Sequence, residues 1–330
     1  MSGETSSKDN PDTGTSPSRP GPPVQASVIV CTYNRSGLLR MTLDALAAQQ
    51  VSTDISWEVI VVDNNSRDDT RDVVDNARLA FPRLRYEFQG QQGLSHARNL
   101  GIERARGVYL LFTDDDVCPE PDWLETIVLA MQEEDCDACG GYIAPIWERS
   151  PPPWLTERFY GFLALKTDKD KQYDVHALAE APFGANMAFR RDVFDRIGNF
   201  DTKRGRIGNV LASGEEWDLF DRMLAKGMRI IFVPEARVHH RVEAYRTYRR
   251  YFIRWRFQAS RNEAETEGIT GDRLLFGVPL YVFPQLGRAT WRALWTQLSG
   301  AADEAVFKWM LVSHLLGLAS GSRRRGKTSD

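Results

Sequence analysis

The sequence predicts an α/β fold built on a mainly parallel central sheet flanked by helices, with a helical extension at its C-terminal end. Two observations carry the sheet. From residue 26 to residue 113, short aliphatic runs alternate with helical patterns at intervals of roughly 30 residues, the signature of right-handed crossovers between parallel strands. Each run also breaks off in polar residues, and in a parallel sheet ligands bind outside the carboxyl ends of the strands. The extension is predicted by amphipathic helical spacing beyond residue 245.

Residues 1–25 are Ser, Thr, Gly and Pro with almost no apolar content, so burial cannot offset the entropy of ordering them and a disordered tail is expected. Ala26 to Thr32 (ASVIVCT) reads as a buried strand running into Tyr33 and Asn34. Ser36 is the expected N-cap of a helix carrying Leu38, Leu39, Thr42, Leu43 and Leu46 at helical spacing. Trp57 to Asp63 repeats the pattern, followed by the turn Asp63 to Asp69 and a helix to about Leu79. Leu84 to Phe88 is a third strand, Leu94 to Ala105 a third helix, and Val108 to Thr113 a fourth strand.

That fourth strand ends in Asp114, Asp115 and Asp116, and Pro119-Glu120-Pro121 then opens another helix. Adjacent carboxylates repel unless a cation neutralises them, and aspartate oxygens suit Mg2+ or Mn2+. A divalent ion bridging to a phosphate is the simplest reading. Thr32, Tyr33, Asp63 and the triplet are expected to converge on one crevice.

Composition narrows the partners. A net charge of −3 gives no general attraction to nucleic acid. Four scattered cysteines suit a reducing, cytoplasmic setting, and the lone Cys136-Asp-Ala-Cys139 reads as packing rather than zinc. No run of 18 apolar residues is present, so a spanning helix is not expected. Neither GxGxxG nor GxxxxGK[ST] occurs, which argues against a dinucleotide-binding enzyme and a P-loop NTPase.

The ordered series CTYNR (31–35), VVDNNSRDDT (61–70), GLSHARNLGIERARG (93–107), LLFTDDD (110–116), FGANMAFRRDVFDRIGNFD (183–201), SGEEWDLFDRMLAKG (213–227) and VPEARVHH (233–240) resembles family 2 glycosyltransferases of the GT-A fold. The resemblance implies a domain over residues 26–244, a nucleotide-diphosphate sugar as donor, a UDP-sugar first, and a glycan or lipid-linked acceptor in surface polysaccharide or glycolipid synthesis. It further implies base contact by Asp63 and by the first turn at Thr32, Tyr33 and Asn34, and a nucleotide-side role for Arg98. The family's Asp-x-Asp motif carries over to Asp114 and Asp116, with Asp115 between them on the donor and Asp116 on Mn2+ or Mg2+. The metal histidine falls on His240, with His239 as the alternative.

On the acceptor side the resemblance places Asn186 and Trp217. It assigns the general base to Glu216, where the family more often has Asp, with Glu215 as the alternative. A single base opposite a metal-held leaving group implies displacement with inversion. Two competing readings share the topology: a sugar nucleotidyltransferase, which calls for a Gly- and Lys-rich first loop where this chain has Thr32-Tyr33-Asn34-Arg35, and a non-catalytic nucleotide- or glycan-binding scaffold.

Residues 245–320 form the helical extension. Trp291, Leu294, Trp295 and Leu298 recur at helical spacing, as do Phe307, Met310, Leu311, Leu315 and Leu318. Such stripes pack on each other and on the catalytic domain or lie on a membrane surface as peripheral contacts; Leu274 to Phe283 and Arg323 to Arg325 lend support to the second. Residues 321–330 are expected to be a basic disordered tail.

Overall fold

The computed structural model describes residues 24–167, 170–203, 214–266, 268 and 273–328, the side chains of 323–328 excepted. The expected N-terminal tail lies outside these residues, apart from its last two positions. The chain order begins with β1 (Ala26–Thr32), α1 (Ser36–Ala47), β2 (Trp57–Asp63), α2 (Thr70–Arg78), β3 (Leu84–Phe88), α3 (Leu94–Arg104) and β4 (Tyr109–Asp114). Each follows its predicted run within a residue or so. Ser36 is the first residue of α1 rather than its cap. Its backbone N–H donates to Asp68 Oδ2 at 2.9 Å, so an acid from the turn after β2 takes the role expected of the Ser36 hydroxyl.

β5 (Val117–Pro119), α4 (Trp123–Glu133), β6 (Ala138–Trp147), β7 (Tyr173–Asp174), β8 (Met187–Arg190), α5 (Asp192–Ile197), α6 (Glu215–Ala225) and β9 (Ile230–Val242) complete the sheet-bearing half. Among the described residues these strands make one nine-stranded sheet in the order β3-β2-β1-β4-β8-β6-β9-β5, with β7 also on β9. β3, β2, β1 and β4 are parallel; β8 runs antiparallel to β4 and β6, and β5 antiparallel to β9.

The period of two along β1 divides the core. Val28 and Val30 face Leu39, Leu43 and Ile127 on one side of the sheet, and Ile29 faces Ala97, Ile102 and Phe220 on the other. Gly101 lets α3 lie against β1, since a Cβ there would stand 2.5 Å from Ile29. Cys136 and Cys139 are buried free thiols.

Registry sets the site. In the β1 pairings Cys31 lies beside Asp114 and Thr32 beside Asp63, so the polar ends of β1, β2 and β4 emerge together. The antiparallel β5–β9 pairing sets Val117 opposite His240, which brings that histidine to Asp116.

Beyond β9 come α7 (Arg249–Thr266), a hairpin of β10 (Leu274–Leu275) and β11 (Val278–Pro279), α8 (Val282–Leu298) and α9 (Ala302–Thr328). Helix α9 continues through residue 328, where a disordered tail was expected from 321. Phe159 joins the two halves, with ring centroids 5.3 Å from Phe252 of α7 and 4.6 Å from Phe307 of α9. The two predicted stripes diverge. Met310 and Leu315 of α9 are buried, whereas Trp291, Trp295 and Leu298 of α8 are 68%, 66% and 84% exposed. The inner seam of α8 is instead the small residues Ala289 and Ala293, against Val312 and Leu315. No helix among the described residues is long and apolar enough to cross a membrane.

Candidate active site

The triplet at the end of β4 splits into three environments. Asp115 is buried, accepts from Thr32 Oγ1 at 2.7 Å and pairs with Arg35 Nη1 at 2.7 Å. Burial pushes its carboxyl up to about 7 against the opposing pull of Arg35. Asp116 is also buried; burial alone would raise it, but His240, Arg35 and Arg246 together hold it well below the usual carboxylate range. Its Oδ2 meets Arg35 Nη2 at 2.8 Å and His240 Nε2 at 3.4 Å. Asp114 keeps 36% of its side chain exposed and points toward Arg98, 4.0 Å away.

Arg98 connects the triplet to the second acidic cluster. Rising from α3, its buried guanidinium donates through Nη1 to Glu215 Oε1 at 3.1 Å and through Nη2 to Glu216 Oε1 at 3.0 Å. Leu219, Phe220 and Met223 sink α6 into the core and thereby fix its first turn at this point. The two glutamates differ in access: the Glu215 side chain is 3% exposed and that of Glu216 17%. Gly184 makes room for the pair, since a Cβ there would stand 2.2 Å from Glu216 Oε1 and 2.3 Å from Arg98 Nη2.

Asp63 closes the far end. Its Oδ1 accepts from the Ser66 N–H and its Oδ2 from Tyr86 Oη, both at 2.8 Å. Asn34 is exposed in a left-handed conformation (φ 51°) and clasps the β2 turn, accepting from the Arg67 N–H at 2.7 Å. Tyr33 beside it is half-buried.

Two expected residues lie elsewhere. Asn186, expected on the acceptor side, is fully buried and every polar group of its amide is spent. Its Oδ1 accepts from Trp123 Nε1, and its Nδ2 donates to the Tyr142 and Ala236 carbonyls. It ties β6 and β9 to α4 and cannot line an acceptor path. His239 points away from the triplet and meets Glu120 at 2.9 Å, because neighbours along a strand face opposite ways; this leaves His240. Trp217 is about half exposed on α6, next to Glu216.

Sequence reasoning gave no role to Arg35 or Arg246. Arg35 stood in plain view inside CTYNR, and a cation following the first strand's turn is the natural partner of a buried acid pair one strand away. Arg246 lies at the start of the extension, where nothing local marks it as a partner of the site. Its buried Nη1 lies 3.3 Å from His240 Nε2.

The donor set suits a hard divalent cation. Asp116 Oδ1 and His240 Nδ1 are buried and have no hydrogen-bond partner. Among the described residues no group of three or more His, Cys, Asp and Glu side chains is disposed to hold a metal. Mg2+ and Mn2+ sites on one or two protein ligands are completed by water and substrate phosphates.

Residues 27–198 match the profile of glycosyl transferase family 2. The chain belongs to that family. This family 2 glycosyltransferase is 31% identical over 233 residues to a glucosyl-dolichyl phosphate glucuronosyltransferase of Haloferax volcanii, covering 68% of this chain and 71% of the relative. It is 28% identical over 243 residues to the succinoglycan biosynthesis protein ExoM of Rhizobium meliloti, covering 73% and 74%. Among solved structures it resembles the mannosyltransferase PcManGT of Pyrobaculum calidifontis in complex with GDP-Man and Mn2+, with a TM-score of 0.60 at 22% identity over 92% and 88% of the two chains. At that identity the likeness speaks for the fold, and the expected GT-A architecture is borne out. As a family 2 glycosyltransferase the protein is a transferase enzyme, with relatives in polysaccharide and glycolipid synthesis.

Proposed function

We propose that the protein transfers a sugar, with inversion, from a nucleotide-diphosphate donor, a UDP-sugar first, to a hydroxyl of a glycan or lipid-linked acceptor. The observation that carries this is the bridge made by Arg98, which brings Asp114 and Glu216 to one crevice from positions far apart in the chain. A scaffold that had lost its chemistry would have no reason to keep a carboxylate partly open opposite the triplet. A sugar nucleotidyltransferase would present a Gly- and Lys-rich loop where Arg35 instead closes on Asp115 and Asp116.

In this reading the base end of the donor lies at Tyr33, Asn34 and Asp63. A carboxylate oxygen can accept more than one hydrogen bond, so the Ser66 and Tyr86 contacts leave Asp63 capacity for a base N–H. Asp114 faces the ribose and diphosphate, and Asp115, buried behind it, acts on the donor side through Thr32 and Arg35. Asp116 and His240 would hold a divalent ion, Mn2+ or Mg2+, whose charge when bound offsets that of the departing diphosphate.

Glu216 takes the proton of the acceptor hydroxyl as its oxygen bonds to the anomeric carbon and the carbon–phosphate oxygen bond breaks. Glu215, more deeply buried, holds Arg98. Arg98 holds the Glu216 carboxylate in place through its 3.0 Å contact, and Trp217 offers an exposed ring to the acceptor. Released diphosphate from a panel of nucleotide sugars with Mn2+ tests the reading; no turnover with any donor, for wild type and for Glu216→Gln alike, would leave the scaffold.

The free cysteines suit a reducing cytoplasmic setting. The outward face of α8 supports peripheral attachment to an anionic bilayer surface. Beside its exposed tryptophans stand Arg288 and Arg292, and no acid occurs between Arg273 and Ala302. At the hairpin tip Phe276, 77% exposed, holds a left-handed φ of 52° unusual for a bulky residue. A second copy is disfavoured as the occupant, because a two-fold interface would set these arginines against their like.

A further inference from the structure

A cavity of about 740 Å³ lies outside the residues assigned above, lined among others by Arg149, Trp154, Thr247, Tyr248, Arg249 and Arg250. It adjoins the site. Thr247 follows Arg246, whose guanidinium touches His240. No carboxylate lines the cavity, and none of its three arginines makes an ion pair among the described residues. Two of the guanidinium groups are placed by aromatic rings: Arg249 lies 5.7 Å from the Trp154 centroid and Arg250 5.1 Å from that of Tyr248.

An ordinary basic surface spreads its arginines over a convex face, where water screens them from one another. Here three solvent-exposed arginines line one concavity without a carboxylate, so their fields add at a point that an anion can reach. The planar guanidinium fork matches phosphate oxygens in pairs. Trp154, Pro152 and Tyr248 add flat apolar surface of the kind that receives a sugar ring or an isoprenoid chain. Arg249 also begins α7, so the positive end of that helix faces the same space.

We infer that this cavity binds the phosphate-bearing portion of the acceptor, through Arg149, Arg249 and Arg250, with Trp154 and Tyr248 against the group that the phosphate carries. The assignment to the acceptor rests on the transferase reading; the binding itself does not. The phosphate can belong to a lipid carrier or to a soluble sugar phosphate, and the chemistry recognised is the same.

Titration calorimetry of the full chain without donor or metal separates these. The probes are geranyl phosphate, glucose 1-phosphate, inorganic phosphate and geraniol. Binding of geranyl phosphate but not geraniol points to a lipid carrier; preference for glucose 1-phosphate points to a sugar phosphate; either supports the site. Replacing all three arginines by Gln should weaken binding about tenfold, and replacement by Lys should restore part of it. Thermal stabilisation by UDP with Mn2+ should not move in either variant, which separates a failed acceptor site from a failed donor site. The inference is overturned if neither organic phosphate binds, if inorganic phosphate binds as well as both, or if the Gln variant binds as wild type does.

Discussion

Arg98 and Glu216 stand 118 positions apart in the chain and 3.0 Å apart in space, Nη2 to Oε1. The contact joins helix α3 to the first turn of α6 and makes one charged centre out of two acidic motifs. Replacing Glu216 with Gln keeps the shape and the hydrogen bond but removes the proton acceptor. Diphosphate release should fall about 10²- to 10⁴-fold, with donor affinity nearly unchanged. Glu215→Gln should instead act on stability, costing about 3 kcal/mol in urea unfolding, because it removes the fully buried counter-charge of the Arg98 guanidinium and leaves only a neutral acceptor. A large loss of turnover in a fully stable Glu215→Gln protein would exchange the two roles.

Arg35 neutralises Asp115 and Asp116 with two 2.7–2.8 Å contacts. Arg35→Met leaves the two acids facing one another and should cost about 3 kcal/mol in metal-free buffer. If Asp116 and His240 hold a divalent ion, Mn2+ should recover the loss, by about 2.7 kcal/mol at a hundred times its Kd. Calorimetric melting with and without Mn2+ reads this directly, and an unchanged melting temperature on adding the ion would argue against these ligands.

Asn186→Ala breaks three hydrogen bonds, two of them buried, and strands the Trp123 indole N–H. Each stranded group costs about 1–3 kcal/mol, so a total loss of about 2–4 kcal/mol is expected. Once folded at low temperature the variant should keep its KM for acceptor. A selective rise in that KM with no loss of stability would return Asn186 to the acceptor path.

His314 of α9 meets Ser260 of α7 at 2.7 Å, and burial, seconded by Arg256, pushes its imidazole down to about 4. The unfolded chain, titrating near the ordinary value of about 6.5, therefore takes up the proton first. The stabilisation is full above that pH and is lost as pH falls toward 4. Because the ring is only partly buried, a decrease in Tm of about 2–4 °C over this window is the reasonable scale. His314→Gln should flatten the dependence.

Vesicles of equal parts phosphatidylcholine and phosphatidylglycerol should float the protein at low salt and release it at high salt. Trp291→Glu with Trp295→Glu should abolish flotation and leave the fold intact, since both rings lie in solvent. Protein that stays at the bottom of the gradient with these vesicles, or floats equally in the variant, would exclude this face.

Much of the catalytic half was legible in the sequence because local rules govern it. Strand and helix periods, polar strand ends and the acidic triplet all read from neighbours within a few positions. They fixed the order of elements through β4, the helix opened by Glu215 and the crevice at the strand ends. The direction of a side chain across contacts of long separation has no such local signature. Whether Asn186 faces an acceptor or Trp123, whether His239 or His240 meets Asp116, and whether the apolar stripe of α8 faces its neighbours or solvent depended on strand register and helix packing. Arg35 and Arg246 belong to the same class. Charge pairing is set by distances that only the closed sheet establishes, so the sequence by itself determined the parts of the site, and the tertiary structure decided which of them touch.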